Sequence, residues 1–158
     1  LTGFLDDTWP HRSYWIFGTK CSLSIGCAGR ARDLIYGRLL AVDGTTVYGY
    51  GRKGVHWSNQ LQDGRYRLFA TDWGQRTPKW ERQVPIRVRA MVLAGDSLFL
   101  AGPLGHDPAM VLAISAGDGK ELGRWPLPAA PVLDGMVAVP GRLYVALENG
   151  AVICLTGS

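Results

Sequence analysis

Residues 38–52 read RLLAVDGTTVYGYGR, and the phrase returns as RAMVLAGDSLFLAGP at 89–103 and as DGMVAVPGRLYVALEN at 134–149. Each copy is an apolar run, a tight turn and a second apolar run, and each is followed later by another apolar strand. Val47 aligns with Leu98 after 51 residues and with Leu143 after another 45, while Ala70 aligns with Ala113 after 43 and with Cys154 after 41. A period of about 40 to 50 residues carrying several short strands per unit is the pattern of a propeller blade. The expected fold class is therefore all-β: a partial β-propeller of four-stranded antiparallel blades, about three of them, in an open ring.

The clearest unit runs from 88 to 130. VRAMVLAG (88–95), SLFLAG (97–102), AMVLAIS (109–115) and KELGRWPL (120–127) read as its four strands, separated by Gly- and Asp-rich turns. The unit before it, 37–87, repeats the plan with GRLLAV, TTVYGYG, YRLFATD and PKWERQVPI, and carries an insertion around RKGVHWSNQLQDG. The last unit, 131–158, supplies GMVAVP, RLYVALE and AVICLTG, three strands rather than four. Residues 1–36 fit the repeat poorly; RSYWIFG reads as a strand of an earlier blade and TKCSLSIGCAGRARDLIYG as a long loop insertion. Closed propellers need roughly four to eight blades of about 40 to 45 residues. The chain is thus expected to be the C-terminal piece of a longer protein, with the missing N-terminal blades of that protein as its first partner and the source of the fourth strand. Alone, it is expected to aggregate or to fold only in part, because its sheet edges are open.

Nine prolines and 21 glycines suit a turn-rich β protein. No apolar run reaches the roughly 18 residues of a membrane span, so none is expected in this segment. Residues 1–90 hold 14 Lys and Arg against 7 Asp and Glu, and residues 91–158 hold 3 against 6. Thirteen of the 17 basic residues are Arg, scattered through loops apart from Arg87 and Arg89, which share one face of a strand. A scattered basic surface is a solvated one, and nucleic acid is not the expected partner.

Cys21, Cys27 and Cys154 include no Cys-x-x-Cys and no adjacent pair, which removes covalent c-type haem. Cys21 and Cys27 flank SLSIG in one loop, where an oxidising compartment would permit a local disulfide and a reducing one leaves two thiols. Cys154 aligns with Ala70 and Ala113, so it is expected to be a small buried residue.

The stretch AMVLAISAGDGKELGRW (109–125) resembles the repeat of the quinoprotein-type propellers, the pyrroloquinoline-quinone-like repeat family. Gly119, Lys120 and Trp125 match its turn and its inter-blade Trp, with Asp118 at the usual Thr position and Trp125 displaced along the strand; Trp80 in FATDWGQRTPKW is the counterpart in the preceding unit. The resemblance covers roughly 37–158 and implies blade docking by Trp80 and Trp125. It also implies a bacterial protein of the periplasm or another extracytoplasmic compartment. Enzymes of that superfamily bind the quinone and Ca²⁺ through a Cys-Cys disulfide, a Trp platform and Glu, Asn and Asp ligands, and this sequence has no Cys-Cys and no motif-matched ligands. Quinone and Ca²⁺ are therefore expected only in the full-length parent. The implied function is a non-catalytic binding or assembly scaffold. The alternatives are a quinone-dependent dehydrogenase whose site lies mostly on missing blades, and a carbohydrate-binding propeller.

Three polar clusters are candidate ligand sites. In LDDTWPHRSYW, Asp6, Asp7, His11, Arg12, Tyr14 and Trp15 combine carboxylates, an imidazole and aromatics, a set suited to acid–base chemistry or stacking. An Asx-turn is the preferred reading there and no metal site is expected, because metal sites need three or four convergent ligands and Pro10 breaks the spacing. His56 and Trp57 sit in the inserted loop, where an aromatic and an imidazole would suit a sugar or quinone ring or simple loop packing. His106 and Asp107 form the third cluster, but adjacent residues usually point apart. No nucleophile elbow, phosphate-binding glycine loop or His-Glu-x-x-His is present, and no catalytic residue is assigned.

Overall fold

A computed structural model describes residues 15–17, 35–52, 66–75, 77–105 and 108–157, and every helix or strand element among them is a β-strand. The chain divides into two compact units, Leu1–Gln83 and Val84–Ser158.

The first unit holds β1 (Trp15–Phe17), β2 (Ile35–Gly37), β3 (Leu39–Asp43), β4 (Thr46–Arg52), β5 (Tyr66–Asp72) and β6 (Trp80–Arg82). Strands β3 to β6 form a four-stranded antiparallel meander in chain order, and β1 pairs antiparallel with β2. Strand β2 lies where the sequence reads as loop insertion, and Gly37 pairs with Trp15 rather than opening the next strand. The break falls at Arg38, whose N–H donates to Tyr50 O at 2.7 Å, so the run IYGRLLAV is split between two sheets. Ile35 from β2 then packs with Val47, Phe69 and Leu40 on one face of the meander. The expected strand PKWERQVPI shortens to the three residues of β6.

The second unit holds β7 (Ala90–Ala94), β8 (Ser97–Pro103), β9 (Ala109–Ser115), β10 (Glu121–Leu127), β11 (Pro131–Val139), β12 (Arg142–Leu147) and β13 (Val152–Thr156). Strands β7 to β10 form a second four-stranded meander, and β11 to β13 a three-stranded one with no fourth strand on β13 among the described residues. A two-residue turn closes the first hairpin of each of the three meanders, with a glycine at positive φ in each: Gly44 and Gly95 at the first turn position, with φ of 51° and 56°, and Gly141 at the second, after Pro140, with φ of 73°.

Period-two alternation sorts the second unit into a core. Ala90, Ala101, Ala109, Val111 and Leu127 on one face of β7–β10 meet Leu143, Val145 and Leu147 of β12, with Phe99, Met136, Ile153 and Leu155 packed around them. Small side chains opposite branched ones let the two sheets approach closely. Each fully buried Leu or Val contributes about 1.5–3 kcal/mol. The opposite face of β7–β10 carries Leu98, Leu100, Leu112 and Ile114, all fully buried. A polar seam joins the two sheets at one side: Arg89 Nη2 lies 2.6 Å from Glu148 Oε1, and Asp134 N–H donates to Arg89 O at 3.0 Å.

Cys154 corrects an expectation, because it is exposed rather than buried. It stands opposite Tyr144 on the face of β11–β13 that points away from the core, while its neighbours Ile153 and Leu155 face inward. Ala113, its counterpart in the repeat, is 3% exposed because it lies on the face of its own sheet that meets a neighbouring sheet.

Candidate functional site

Most residues singled out by chemistry alone lie outside the described residues: Asp6, Asp7, His11, Arg12 and Tyr14, the pair Cys21 and Cys27, His56 and Trp57, and His106 with Asp107. Trp15 enters only as a backbone member of β1, opposite Gly37. What the structure brings together is a repeated aromatic rung. Tyr48 stands opposite Ala70 in the first meander, Phe99 opposite Ala113 in the second, and Tyr144 opposite Cys154 in the three-stranded sheet. In each case an aromatic on the second strand meets a small residue on the third.

The fourth strands extend that rung. Trp80 of β6 stands opposite Ala70, and its ring centroid is 6.3 Å from that of Tyr48, tilted at 44°. In the second meander the matching place opposite Ala113 is Gly123, and Trp125 stands two residues further on, opposite Val111. A Cβ at Gly123 would come within 2.9 Å of Trp125 Cη2, so the indole folds back over the glycine and covers the place that Trp80 occupies in the first sheet. That accounts for the displaced tryptophan of the sequence repeat. Trp125 is nevertheless 40% exposed. The third sheet has the aromatic and the small residue of the rung and nothing beside them among the described residues.

The surface around that incomplete rung is apolar. Val137 and Val139 on β11 and Val152 on β13 are 54%, 45% and 65% exposed, on the same face as Tyr144 and Cys154. Arg142 Nη1 donates to Tyr144 Oη at 3.4 Å and is the one charge in the register of this patch.

Two polar clasps sit at the β-turns. Lys79 Nζ lies 2.9 Å from Asp72 Oδ1, and Thr46 Oγ1 donates to the same oxygen at 2.8 Å, tying β4, β5 and the approach to β6 together. The Lys79 ammonium and then the Thr46 hydroxyl hold the Asp72 carboxyl below its ordinary range, and Asp72 raises Lys79 in return. Between β9 and β10, Lys120 Nζ is 2.7 Å from Asp118 Oδ2, and hydrogen bonds from Lys120 and Ser115 take the Asp118 carboxyl down to about 2. Both clasps are turn chemistry. They order the hairpins rather than present a reactive group.

Arg67 is a third polar feature, on the face of Phe69, whose ring centroid lies 5.0 Å from the guanidinium carbon. Its Nη1 ion-pairs with Glu81, yet Nε and Nη1 are buried without a hydrogen bond of proper geometry, and burial lowers its pKa. Among the described residues no three His, Cys, Asp or Glu converge as a metal site, and no helix is long and apolar enough to cross a membrane. No protein-family model matches the chain, and no curated protein matches it either.

Proposed function

We propose that this chain is part of a β-propeller-type scaffold of the pyrroloquinoline-quinone-like repeat class, which binds or assembles with partners outside the cytoplasm rather than catalysing a reaction. The observation that carries the reading is the recurring rung: Tyr48–Ala70, Phe99–Ala113 and Tyr144–Cys154 occupy the same register position in three successive antiparallel sheets. Successive sheets built on one register plan are what a radial array of blades requires, since each blade must offer one face to the blade before and the other to the blade after. The turn residues Gly119 and Lys120 and the indole of Trp125 supply the resemblance to that class, and with it the compartment. The expected partners are further blades and a protein or glycan ligand held by the loops at one end.

Two measurements test this. A cryo-electron microscopy structure of the complete polypeptide is expected to show the three sheets as neighbouring blades around one axis; a closed two-sheet sandwich instead would overturn the architecture. Titration of the same polypeptide with the quinone and Ca²⁺, followed by an alcohol- and sugar-oxidation assay with an artificial acceptor, is expected to give neither binding nor turnover. Turnover would replace the scaffold with a dehydrogenase.

A further inference from the structure

Strands β12 and β13 are joined by Glu148, Asn149 and Gly150, all three of them exposed. Leu147 N–H donates to Ala151 O at 2.9 Å, and Gly150 N–H donates back to Leu147 O at 3.0 Å. Gly150 has φ of 86°, which closes the tip. The same tip fastens the hairpin to its surroundings: Glu148 N–H donates to Ala130 O at 2.9 Å, and the Glu148 carboxylate holds Arg89 at 2.6 Å. The Asn149 side chain folds over the tip, with its Oδ1 accepting Ala151 N–H at 3.1 Å.

Of the two asparagines in the chain, Asn59 precedes Gln60 and Asn149 precedes Gly150. Glycine has no Cβ, so nothing beside its nitrogen shields it from the preceding side-chain amide. The Ala151 N–H bonded to Oδ1 stands where negative charge develops when the amide carbon is attacked, and a fixed donor there favours acyl transfer. Asp118 also precedes a glycine, but its carboxyl, taken down to about 2 by Lys120 and Ser115, stays ionised and resists attack.

We propose that Asn149 is a site of spontaneous covalent modification in the folded chain, converting to aspartate and isoaspartate and releasing the hairpin tip from the neighbouring sheet. The Gly150 nitrogen bonds to Asn149 Cγ and gives its proton to solvent, the Cγ–Nδ2 bond breaks, and Nδ2 leaves as ammonia. Water then opens the cyclic imide. Addition at Cγ gives aspartate, and addition at the main-chain carbonyl gives isoaspartate, whose backbone runs through Cβ and Cγ. The bond from Gly150 N–H to Leu147 O restrains the nucleophile, so the rate follows opening of the exposed tip rather than unfolding of the sheet. Isoaspartate lengthens a three-residue connection by one carbon, and either product adds a negative charge beside Glu148. The Glu148 contacts to Ala130 and Arg89 then lose the turn that positions them. The inference uses one hairpin and none of the scaffold reading.

The test incubates the whole 158-residue chain at mildly alkaline pH and body temperature, with conversion mapped by mass spectrometry and isoaspartate identified by electron-transfer fragmentation. Asn149 is expected to convert about tenfold or more faster than Asn59, because only its attacking nitrogen belongs to glycine. It is expected to convert about two- to tenfold more slowly than in the free peptide ALENGAV (146–152), the factor one hydrogen bond supplies. A route through global unfolding would slow it roughly a thousandfold or more. Equal conversion of the two asparagines, or a rate in the chain roughly a hundredfold or more below that of the peptide, overturns the proposal. Val145→Ala, which would raise an unfolding-limited rate about 30-fold, is expected to leave the rate within about twofold, and a rise of about tenfold overturns tip opening as the route. The comparison of chain with peptide needs no variant to fold. The separated isoaspartate form is expected to exchange amide hydrogens across 142–156 faster than the parent and to melt lower; identical exchange overturns the release of the tip. Neither result bears on the microscopy test of the blade array.

Discussion

Cys154 shows how one position in a repeat takes its character from what lies across from it. Its counterparts Ala70 and Ala113 are buried, and it is not, because the face it shares with Val152 and Tyr144 has no sheet against it among the described residues. Mass mapping after brief maleimide treatment without denaturant is expected to find the Cys154 peptide fully modified; protection until the protein unfolds would place another surface over it. Asp118 makes a second local prediction. Its carboxyl is held down to about 2 by Lys120 and Ser115, so its contribution to stability is complete above the ordinary value of 3.8 and is lost as pH falls through about 2. Carbon-13 titration of the carboxyl is expected to show that low midpoint, and Lys120→Ala to move it upward. Arg67 holds its guanidinium over the Phe69 ring and ion-pairs through Nη1 with the half-exposed Glu81. Arg67→Met keeps an apolar group on the ring and removes only a partly solvated pair, so it is expected to change stability by no more than about 1 kcal/mol in a thermal melt.

The strands were largely readable from sequence. SLFLAG, AMVLAIS and KELGRWPL coincide with β8, β9 and β10 to within a residue or so, because alternation of side chains and glycine turns are local signals. Strand β2 was not readable: three residues, IYG, carry too little periodicity to stand out from a loop, and they are strand only because β1 pairs with them. Element packing makes its own prediction at Gly102. A Cβ there would lie 2.0 Å from Arg87 O, and the backbone at 87–89 is hydrogen-bonded to β8 through Pro103 and Ala101. Gly102→Ala must push that segment off the strand, and a loss of about 1–3 kcal/mol is expected by denaturant unfolding, with m unchanged. Gly123, where the obstacle is the rim of the Trp125 indole, is expected to tolerate alanine better, with a change in near-ultraviolet circular dichroism as the ring moves.

Across the second unit, stability rests on two sheets meeting face to face. Val145 is 0% exposed at the centre of that contact, so Val145→Ala is expected to cost about 2 kcal/mol, whereas Val137→Ala on the open face is expected to change the unfolding midpoint little. Of the candidate sites, the ones chosen for their chemistry, around His11 and His56, fall outside the described residues. The surface that did emerge, the edge of β13 with Tyr144 and Cys154, carries no reactive motif a sequence scan would flag. Its one sequence signal was a count, three strands where the preceding units have four. Hairpins, turn glycines, the all-β class and the repeat period were in the amino-acid order, since backbone preference and two-residue alternation act between neighbours along the chain. Which face of each sheet is covered, why Trp125 reaches back over Gly123, and why Cys154 meets solvent came from the folded chain. Burial belongs to pairs of surfaces brought together from distant parts of the sequence, and no single repeat specifies whether its neighbour is there.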